Sequence, residues 1–317
     1  MTEKTAKILV ITGPTATGKT AAGVLLAQEL GGEVVSADSM QVYRRMDVGT
    51  AKATEEEMQG VPHHMIDIAD PTEDYSVACY VKEADVCVQD ILARGKLPIL
   101  VGGTGLYIDS LIAGRDFGED TPDPGLRDEL YEKYDRLGGE TLLEELRKID
   151  PERAAKLYPA DKKRIVRALE VYCATGQTIT AHDAETKKRP PRYDAARLAL
   201  SYADRAVLYE RIDLRVDKMV EAGLFDEVRS LLTSGVPAGC TAMQAIGYKE
   251  TAAALRGEIT EAQAIDTIKR ESRRYAKRQL TWLRAKPGLY WHLWLDQQNW
   301  LNFRQNSSLF LREVGLK

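Results

Sequence analysis

The feature that most constrains this sequence is a glycine-rich segment at residues 13–20, which reads G-P-T-A-T-G-K-T. It follows an apolar, β-branched run at residues 7–12 and precedes a run with helical spacing that ends at Gly31-Gly32. The segment matches the phosphate-binding motif G-x-x-x-x-G-K-[ST], which joins a buried strand to the N-terminus of a helix. This order predicts an α/β fold of the P-loop kind, with a doubly wound, mainly parallel sheet.

Strands and helices continue to alternate along the chain. Residues 33–37 and 97–101 have the apolar composition of buried strands, and residues 77–93 between them have helical spacing. Farther on, residues 207–233 and 261–284 each predict a helical stretch. The alternation is typical of a parallel sheet that is covered by helices on both faces.

The composition changes in the middle of the chain. Residues 116–152 carry thirteen acidic and five basic side chains in a helical pattern. Apolar runs at 196–200 and 289–295 then predict strands, the first of which returns to the sheet. The predicted organisation is a P-loop catalytic core formed by residues 1–119 and 191–317, with a helical insertion domain at residues 120–190.

Composition limits the location of the protein. The sequence contains no apolar run of 18 residues and no basic start followed by an apolar stretch, so it predicts neither a membrane span nor a secretion signal. The four cysteines have no metal-binding or paired spacing, which indicates reduced thiols. His63, His64 and His292 have no ligand partners at metal-binding spacing and are interpreted as structural or surface residues. We therefore expect a cytoplasmic protein.

Charge is distributed unevenly along the chain. The formal net charge is only −4, which by itself argues against a nucleic-acid-binding protein. However, residues 269–286 carry a net charge of +7 and residues 162–192 carry +5, while the rest of the chain sums to −16. On the helix predicted at 269–286, one face is apolar and the other presents a row of arginines and lysines, with Tyr275 and Trp282 nearby for stacking. Two basic surfaces and a phosphate site together indicate an enzyme that acts on a polynucleotide.

The glycine-rich segment supplies the first set of candidate site residues. Its backbone N–H groups can surround phosphate oxygens, Lys19 adds a positive charge, and the Thr20 hydroxyl is a ligand for Mg²⁺. The residues predicted to bind a diphosphate or a nucleotide such as ATP are Gly13, Pro14, Thr15, Ala16, Thr17, Gly18, Lys19 and Thr20.

Three further side chains are catalytic candidates, each with an alternative. Asp38 follows the second strand, and three alternative roles are open for it. It is either the metal-positioning acid of an ATPase or kinase, or a general base, or a helix cap. Thr104 lies in a glycine-rich turn after the third strand, where it donates to phosphate or merely completes a tight turn. Arg211 and Arg215 share one face of a helix. They act either as a clamp for phosphate or as solvated surface arginines.

The sequence resembles the tRNA dimethylallyltransferases, also called tRNA isopentenyltransferases. The matching segments span nearly the whole chain in order, and they are G-P-T-A-T-G-K-T (13–20), D-S-M-Q-V-Y (38–43), M-D-V-G-T-A-K (46–52), P-H-H-M-I-D (62–67), V-G-G-T-G-L-Y (101–107), R-I-V-R-A-L-E-V (164–171), Q-A-I-G-Y-K-E (244–250) and Y-A-K-R-Q-L-T-W (275–282). Many kinases share the first segment, but the combination is specific to this family.

This resemblance implies transfer of a dimethylallyl group from dimethylallyl diphosphate to N6 of the adenosine beside the anticodon, position 37, with release of diphosphate and with Mg²⁺ as cofactor. By the same resemblance, Asp38 accepts the N6 proton, and Lys19, Thr104 and Arg215 stabilise the leaving diphosphate. Thr20 is the implied metal ligand. The target base is expected to flip out of the anticodon loop, and the protein is expected to be a monomer.

The resemblance also predicts the residues that contact the anticodon stem-loop of tRNA. They are Asp38, Ser39, Met40, Gln41, Thr104, Arg127, Lys163, Arg164, Ile165, Val166, Arg167, Gln244, Ala245, Ile246, Gly247, Tyr248, Lys249, Lys277, Arg278, Gln279, Leu280, Thr281, Trp282, Leu283 and Arg284. The residues alone leave two other functions open, an ATP-dependent kinase and an RNA-binding protein without catalysis.

Overall fold

The computed structural model describes residues 5–115, 117 and 124–317. The strands are β1 Lys7–Thr12, β2 Gly32–Ser36, β3 His63–His64, β4 Leu97–Gly102, β5 Asp194–Tyr202 and β6 Leu289–Trp294. The helices are α1 Lys19–Leu30, α2 Glu55–Met58, α3 Val77–Ala93, α4 Gly105–Ala113, α5 Pro124–Leu137, α6 Gly139–Ile149, α7 Pro151–Ala154, α8 Lys162–Thr175, α9 Ile179–Lys188, α10 Arg205–Glu221, α11 Leu224–Thr233, α12 Tyr248–Leu255, α13 Glu261–Arg284 and α14 Trp300–Glu313.

The strands form one sheet in the order β3-β2-β4-β1-β5-β6, and every neighbouring pair is parallel. The predicted α/β class with a parallel sheet is therefore confirmed. The register pairs Thr12 with both Gly102 and Ala199, and it pairs Ser36 with Val101. As a result, the loops that follow β1, β2 and β4 meet at one edge of the sheet, where α/β proteins bind ligands.

Two glycines allow these strands to approach closely at that edge. A Cβ atom on Gly13 would lie 2.3 Å from the carbonyl oxygen of Leu200, and one on Gly102 would lie 2.2 Å from the carbonyl oxygen of Ala37. Both distances are far below van der Waals contact, so a larger residue at either position would separate the loops.

The chain divides into two compact units. The larger unit contains residues 1–112 and 192–317, and the smaller contains residues 113–191. The boundary predicted between residues 119 and 120 lies outside the described residues. Within the smaller unit, α5, α6 and α8 pack around their own apolar core, which includes Leu142, Leu146 and Ile165.

The helical stretch predicted at 207–233 is wrong as a single element. It consists of α10 and α11, which are separated by Gly223 in the left-handed conformation at φ 96°. A glycine adopts this conformation without steric cost, and it ends one helix and starts the next. No helix among the residues that the structure describes is long and apolar enough to cross a membrane.

Candidate active site

The loops at the carboxyl edge of the sheet line a cavity of about 460 Å³ in the larger unit. Its lining includes the charged residues Lys19, Asp38 and Arg215. The lining also includes apolar residues, which are Val34, Val101, Ile66, Ile212, Val216, Met219, Ile246 and Ile268. The cavity therefore offers charged groups for an anion and apolar contacts for a small hydrocarbon group.

The glycine-rich loop has the conformation of a phosphate-binding loop. Gly18 adopts a left-handed conformation, φ 81°, at the N-terminus of α1, and Thr15 to Thr20 line the cavity. The Lys19 ammonium donates to the carbonyl oxygen of Pro14 at 2.8 Å, and so does the Thr17 hydroxyl at 2.9 Å. Gly13 and Pro14 are buried, so they shape the loop without lining the cavity.

Asp38 and Thr104 are brought together by the ends of β2 and β4. The Thr104 N–H donates to the carbonyl oxygen of Ala37 at 3.1 Å, and the Ser39 N–H donates to the Thr104 hydroxyl at 3.1 Å. The Met40 N–H donates to the Asp38 carboxylate at 2.9 Å. Among the described residues only one Asp38 oxygen accepts such a bond, so the carboxylate of this cavity-lining residue can accept further hydrogen bonds.

Two cations that line the cavity, Lys19 and Arg215, are close enough to interact electrostatically. Desolvation, followed by the nearby Arg215, lowers the pKa of Lys19 to about 7, while Asp38 opposes this shift. Desolvation also lowers the pKa of Arg215, again opposed by Asp38. The Nε atom of Arg215 is buried without a hydrogen-bond partner among the described residues. Unpaired positive charge in a desolvated wall is the electrostatic signature of an anion site.

Gln279 connects the phosphate loop to the loop after β4. Its side-chain oxygen accepts from the Thr15 N–H at 3.0 Å, and its amide donates to the carbonyl oxygen of Gly103 at 3.0 Å. Gln279 was predicted to bind tRNA, but the side chain is buried and holds the site together. Tyr275, one turn away on α13, lines the cavity, and burial followed by Asp38 raises its pKa to about 12.

The basic face of α13 is only partly free. Arg273 pairs with Asp213 on α10 at 2.6 Å, so this arginine joins two helices. Lys277, Arg278, Thr281 and Arg284 are exposed, and Arg278 also lines the cavity. The side chains of Leu280 and Leu283, which belong to the predicted tRNA-binding set, are buried, and Trp282 donates to Asp109 at 2.9 Å.

The predicted tRNA-binding segment 244–249 also contains both cavity-lining or exposed residues and buried ones. Gln244, Ala245 and Ile246 line the cavity, and Lys249 is exposed. Gly247 and Tyr248 are buried, so the Tyr248 side chain supports the wall from behind and is not available to tRNA.

The smaller unit also contains buried members of the predicted tRNA set. Ile165 and Val166 on α8 are buried in its core, because the apolar face of the helix packs inward. Lys163, Arg164 and Arg167 are exposed. Arg127 and Arg167 bind the fully buried Glu170 at 2.9 and 2.8 Å.

Tyr172 on α8 is exposed, whereas Glu170 on the same helix is fully buried. The buried carboxylate of Glu170 is tolerated because two arginines satisfy it.

Sequence reasoning missed one wall of the cavity. Gly49, Thr50 and Ala51 line it, although none carries a charged or nucleophilic side chain. The sequence signal that could have found this wall is the segment M-D-V-G-T-A-K (46–52), which matches the tRNA dimethylallyltransferases. His63 also lines the cavity, and burial lowers its pKa.

The residues present are compatible with a magnesium ion. The Thr20 hydroxyl lines the cavity and makes no protein hydrogen bond in the described chain. No group of three or more metal-binding side chains is found among the described residues. Magnesium needs few protein ligands when substrate phosphates and water complete its coordination, so this donor set fits.

The parallel sheet, the phosphate-binding loop and the two cations define a P-loop protein of the α/β class, with a cavity lined by cations and by apolar side chains. Two family models match the chain, IPP transferase over residues 41–286 and isopentenyl transferase over residues 6–71. The chain belongs to the IPP transferase family.

Relatives and solved structures agree with this assignment. A tRNA dimethylallyltransferase of Caldanaerobacter subterraneus is 46% identical over 95% of this chain and 96% of its own length. The crystal structure of the tRNA isopentenylpyrophosphate transferase of Bacillus halodurans has a TM-score of 0.72 and 44% identity, with 98% of each chain covered. A eukaryotic dimethylallyltransferase acting on tRNA has a TM-score of 0.81 and 29% identity, over 96% of this chain and 78% of its own.

Proposed function

We propose that this protein is a tRNA dimethylallyltransferase, which transfers the dimethylallyl group of dimethylallyl diphosphate to N6 of adenosine 37, beside the anticodon. The observation that carries the proposal is the cavity itself, whose lining combines Lys19, Arg215 and Asp38 with a set of apolar side chains. A prenyl diphosphate uses both the charged and the apolar residues of this lining.

The proposed reaction is a substitution at the first carbon of the dimethylallyl group. The carbon–oxygen bond to diphosphate breaks, the bond from N6 to that carbon forms, and the N6 proton passes to the carboxylate of Asp38. Negative charge develops on the leaving diphosphate, where Lys19, Arg215 and the loop N–H groups are already oriented. The Thr104 hydroxyl lies beside Asp38 and donates to the same anion.

Magnesium fits as the cofactor, with the Thr20 hydroxyl as its ligand from the protein. When bound, it would offset the charge of the diphosphate and make it a better leaving group. The role of Thr20 is to hold this ion at the start of α1, where the helix N-terminus also favours an anion.

The position of α13 supports tRNA as the acceptor. Tyr275, Arg278 and Ser272 line the cavity, while Lys277 and Arg284 on the same helix are exposed. A phosphate backbone that follows the exposed cations would therefore bring a flipped base close to the cavity. We expect the anticodon stem-loop to bind here, to a monomer in the cytoplasm.

The test is incubation with dimethylallyl diphosphate, Mg²⁺ and unmodified tRNA, followed by digestion and mass spectrometry of the nucleosides. The expected product is adenosine that is heavier by one dimethylallyl group, from position 37. Asp38→Asn should abolish the product and leave the Kd for tRNA within about twofold. Hydrolysis of ATP or transfer of its γ-phosphoryl group, without this product, would instead establish a kinase.

A further inference from the structure

Residues 46–52, here called the amide loop, contribute Gly49, Thr50 and Ala51 to the cavity wall, and a carboxylate distant in sequence holds the loop. The backbone N–H groups of Asp47, Val48 and Gly49 all donate to Glu227, at 2.8, 2.7 and 3.0 Å. Consecutive N–H groups that converge in this way form an anion-binding nest. In this protein the anion is a side chain in the first turn of α11.

Tyr248 completes the arrangement. Its hydroxyl donates to Glu227 at 2.6 Å, and burial, followed by Glu227, raises its pKa. Gly49 lies against the Tyr248 ring, because a Cβ atom on this glycine would be 2.5 Å from a ring carbon. Glu227 therefore accepts four hydrogen bonds, which are strong because the acceptor is charged.

The amide loop in turn contacts the diphosphate site. Arg215 donates to the carbonyl oxygen of Thr50 at 3.4 Å, the one hydrogen bond that it makes in the described chain. Gln41 donates to the carbonyl oxygens of Thr50 and Ala51 at 3.4 and 3.3 Å. The carbonyl oxygen of Thr50 is therefore the one hydrogen-bond acceptor that constrains the Arg215 guanidinium in the described chain.

A second anchor holds the same loop at its other end. The Lys52 ammonium binds Asp47 at 2.5 Å, Asp67 at 2.6 Å and the carbonyl oxygen of Tyr43 at 2.9 Å. Because Lys52 does not use the N–H groups at 47–49, the loss of Glu227 would free those three groups and leave the rest of the loop attached.

We propose that Glu227 is a positioning residue for the diphosphate site, which acts by fixing the amide loop so that Thr50 orients Arg215. The proposal rests on the proposed function, in which Arg215 stabilises the leaving diphosphate. Glu227 does not itself line the cavity, and its effect on substrate passes through the loop.

The variant to test is Glu227→Gln, which keeps the shape but removes the charge and one acceptor. The matched control is Asp226→Asn, in the same helical turn, because Asp226 is exposed and pairs only with Arg229 in the described chain. We expect Glu227→Gln to raise the KM for dimethylallyl diphosphate roughly 10- to 100-fold, as expected for a displaced binding group. The Kd for tRNA should stay near wild type, and deuterium exchange at amides 47–49 should become faster. The Tm should fall, because the glutamine cannot accept all four hydrogen bonds.

A double-mutant cycle separates positioning from simple stability. In an Arg215→Ala background, Glu227→Gln should change KM by less than about twofold, because the two effects share one route. An unchanged KM in Glu227→Gln, or an effect that adds fully to that of Arg215→Ala, would overturn the proposal. If Glu227→Gln does not fold, Tyr248→Phe removes one of the four hydrogen bonds and should shift KM in the same direction.

Failure of the proposed function would be recognised separately. If the wild-type protein does not prenylate tRNA, the Kd for inorganic pyrophosphate replaces KM as the measurement. Weaker pyrophosphate binding by Glu227→Gln, with Asp226→Asn unchanged, would then still support the positioning role. Equal pyrophosphate affinity in the two variants would exclude it.

Discussion

Replacing Gly102 with alanine should separate the two loops that carry Asp38 and Thr104. The new Cβ atom would lie 2.2 Å from the carbonyl oxygen of Ala37. A Cβ atom and a backbone oxygen both have positions fixed by the main chain, so neither can rotate away. Relief of this contact requires a shift of about 1 Å, since ordinary contacts begin near 3.4 Å. The shift would break the hydrogen bond from the Thr104 N–H to Ala37.

The magnitude follows from these contacts. Steric strain in a packed region costs about 1–3 kcal/mol, and a buried hydrogen bond contributes about 1 kcal/mol. The free energy of unfolding should therefore fall by about 3 kcal/mol, which corresponds to a Tm roughly 6–12 °C lower for a unit of this size. In the protein that remains folded, kcat should fall about 100-fold, because the base and the Thr104 donor are displaced by about 1 Å.

Calorimetry and the prenylation assay measure these two effects. The control is Gly239→Ala, because a Cβ atom there meets nothing within 4 Å and should change neither quantity. A Gly102→Ala protein that melts within about 2 °C of wild type and retains its kcat would refute the reasoning, since it would show that the strand ends yield without moving the site.

Three further predictions concern charge. With metal removed by EDTA, the Kd for dimethylallyl diphosphate should rise roughly 50-fold between pH 7 and pH 9. The reason is that the pKa of Lys19 is lowered to about 7, so its ammonium loses its proton over this range unless an anion is bound. Titration calorimetry should show this rise in wild type and a flat profile in Lys19→Arg, and a flat wild-type profile would contradict it. Lys277→Ala should weaken tRNA binding and lower its salt slope by about 1, whereas Arg273→Ala, which breaks an ion pair, should lower Tm and leave the slope unchanged in filter binding. Glu33 is buried, and hydrogen bonds, first of all those from Arg94, hold its pKa well below the usual range. The stability that Glu33 contributes to the folded protein is therefore fully present above about pH 4.3 and is lost as the pH falls through its pKa in the folded state. Glu33→Gln should lower the free energy of unfolding at pH 7 by about 3–5 kcal/mol. The variant should also lose less stability in acid than wild type, as measured by circular dichroism, and equal stability of the two proteins at pH 7 would exclude this role.

Local patterns determined the elements that carry the anion site. The helices predicted at 77–93 and 261–284 coincide with α3 and α13, and the predicted strands at 33–37 and 97–101 overlap β2 and β4. These elements are predictable because their signal is the spacing of apolar residues along one short segment.

Other features depend on residues that are far apart. The two-residue strand β3 and the short helix α2 have too little length for a periodic signal. The basic face of α13 was read as free cations, because its pattern does not show that Asp213 lies opposite Arg273. The burial of Gln279 likewise follows from contacts with two loops that are more than 170 positions away.

The sequence by itself determined the phosphate loop, the α/β class and the set of basic segments, since each depends on neighbouring residues and on backbone preferences within one turn or strand. The tertiary structure alone decided which cations face the cavity and which are paired. It also decided that Glu227 binds the amide loop at Asp47, a contact across 180 positions. The physical reason is that a carboxylate or a guanidinium has no preferred partner in sequence, and packing of the sheet and helices brings its partner within hydrogen-bonding distance.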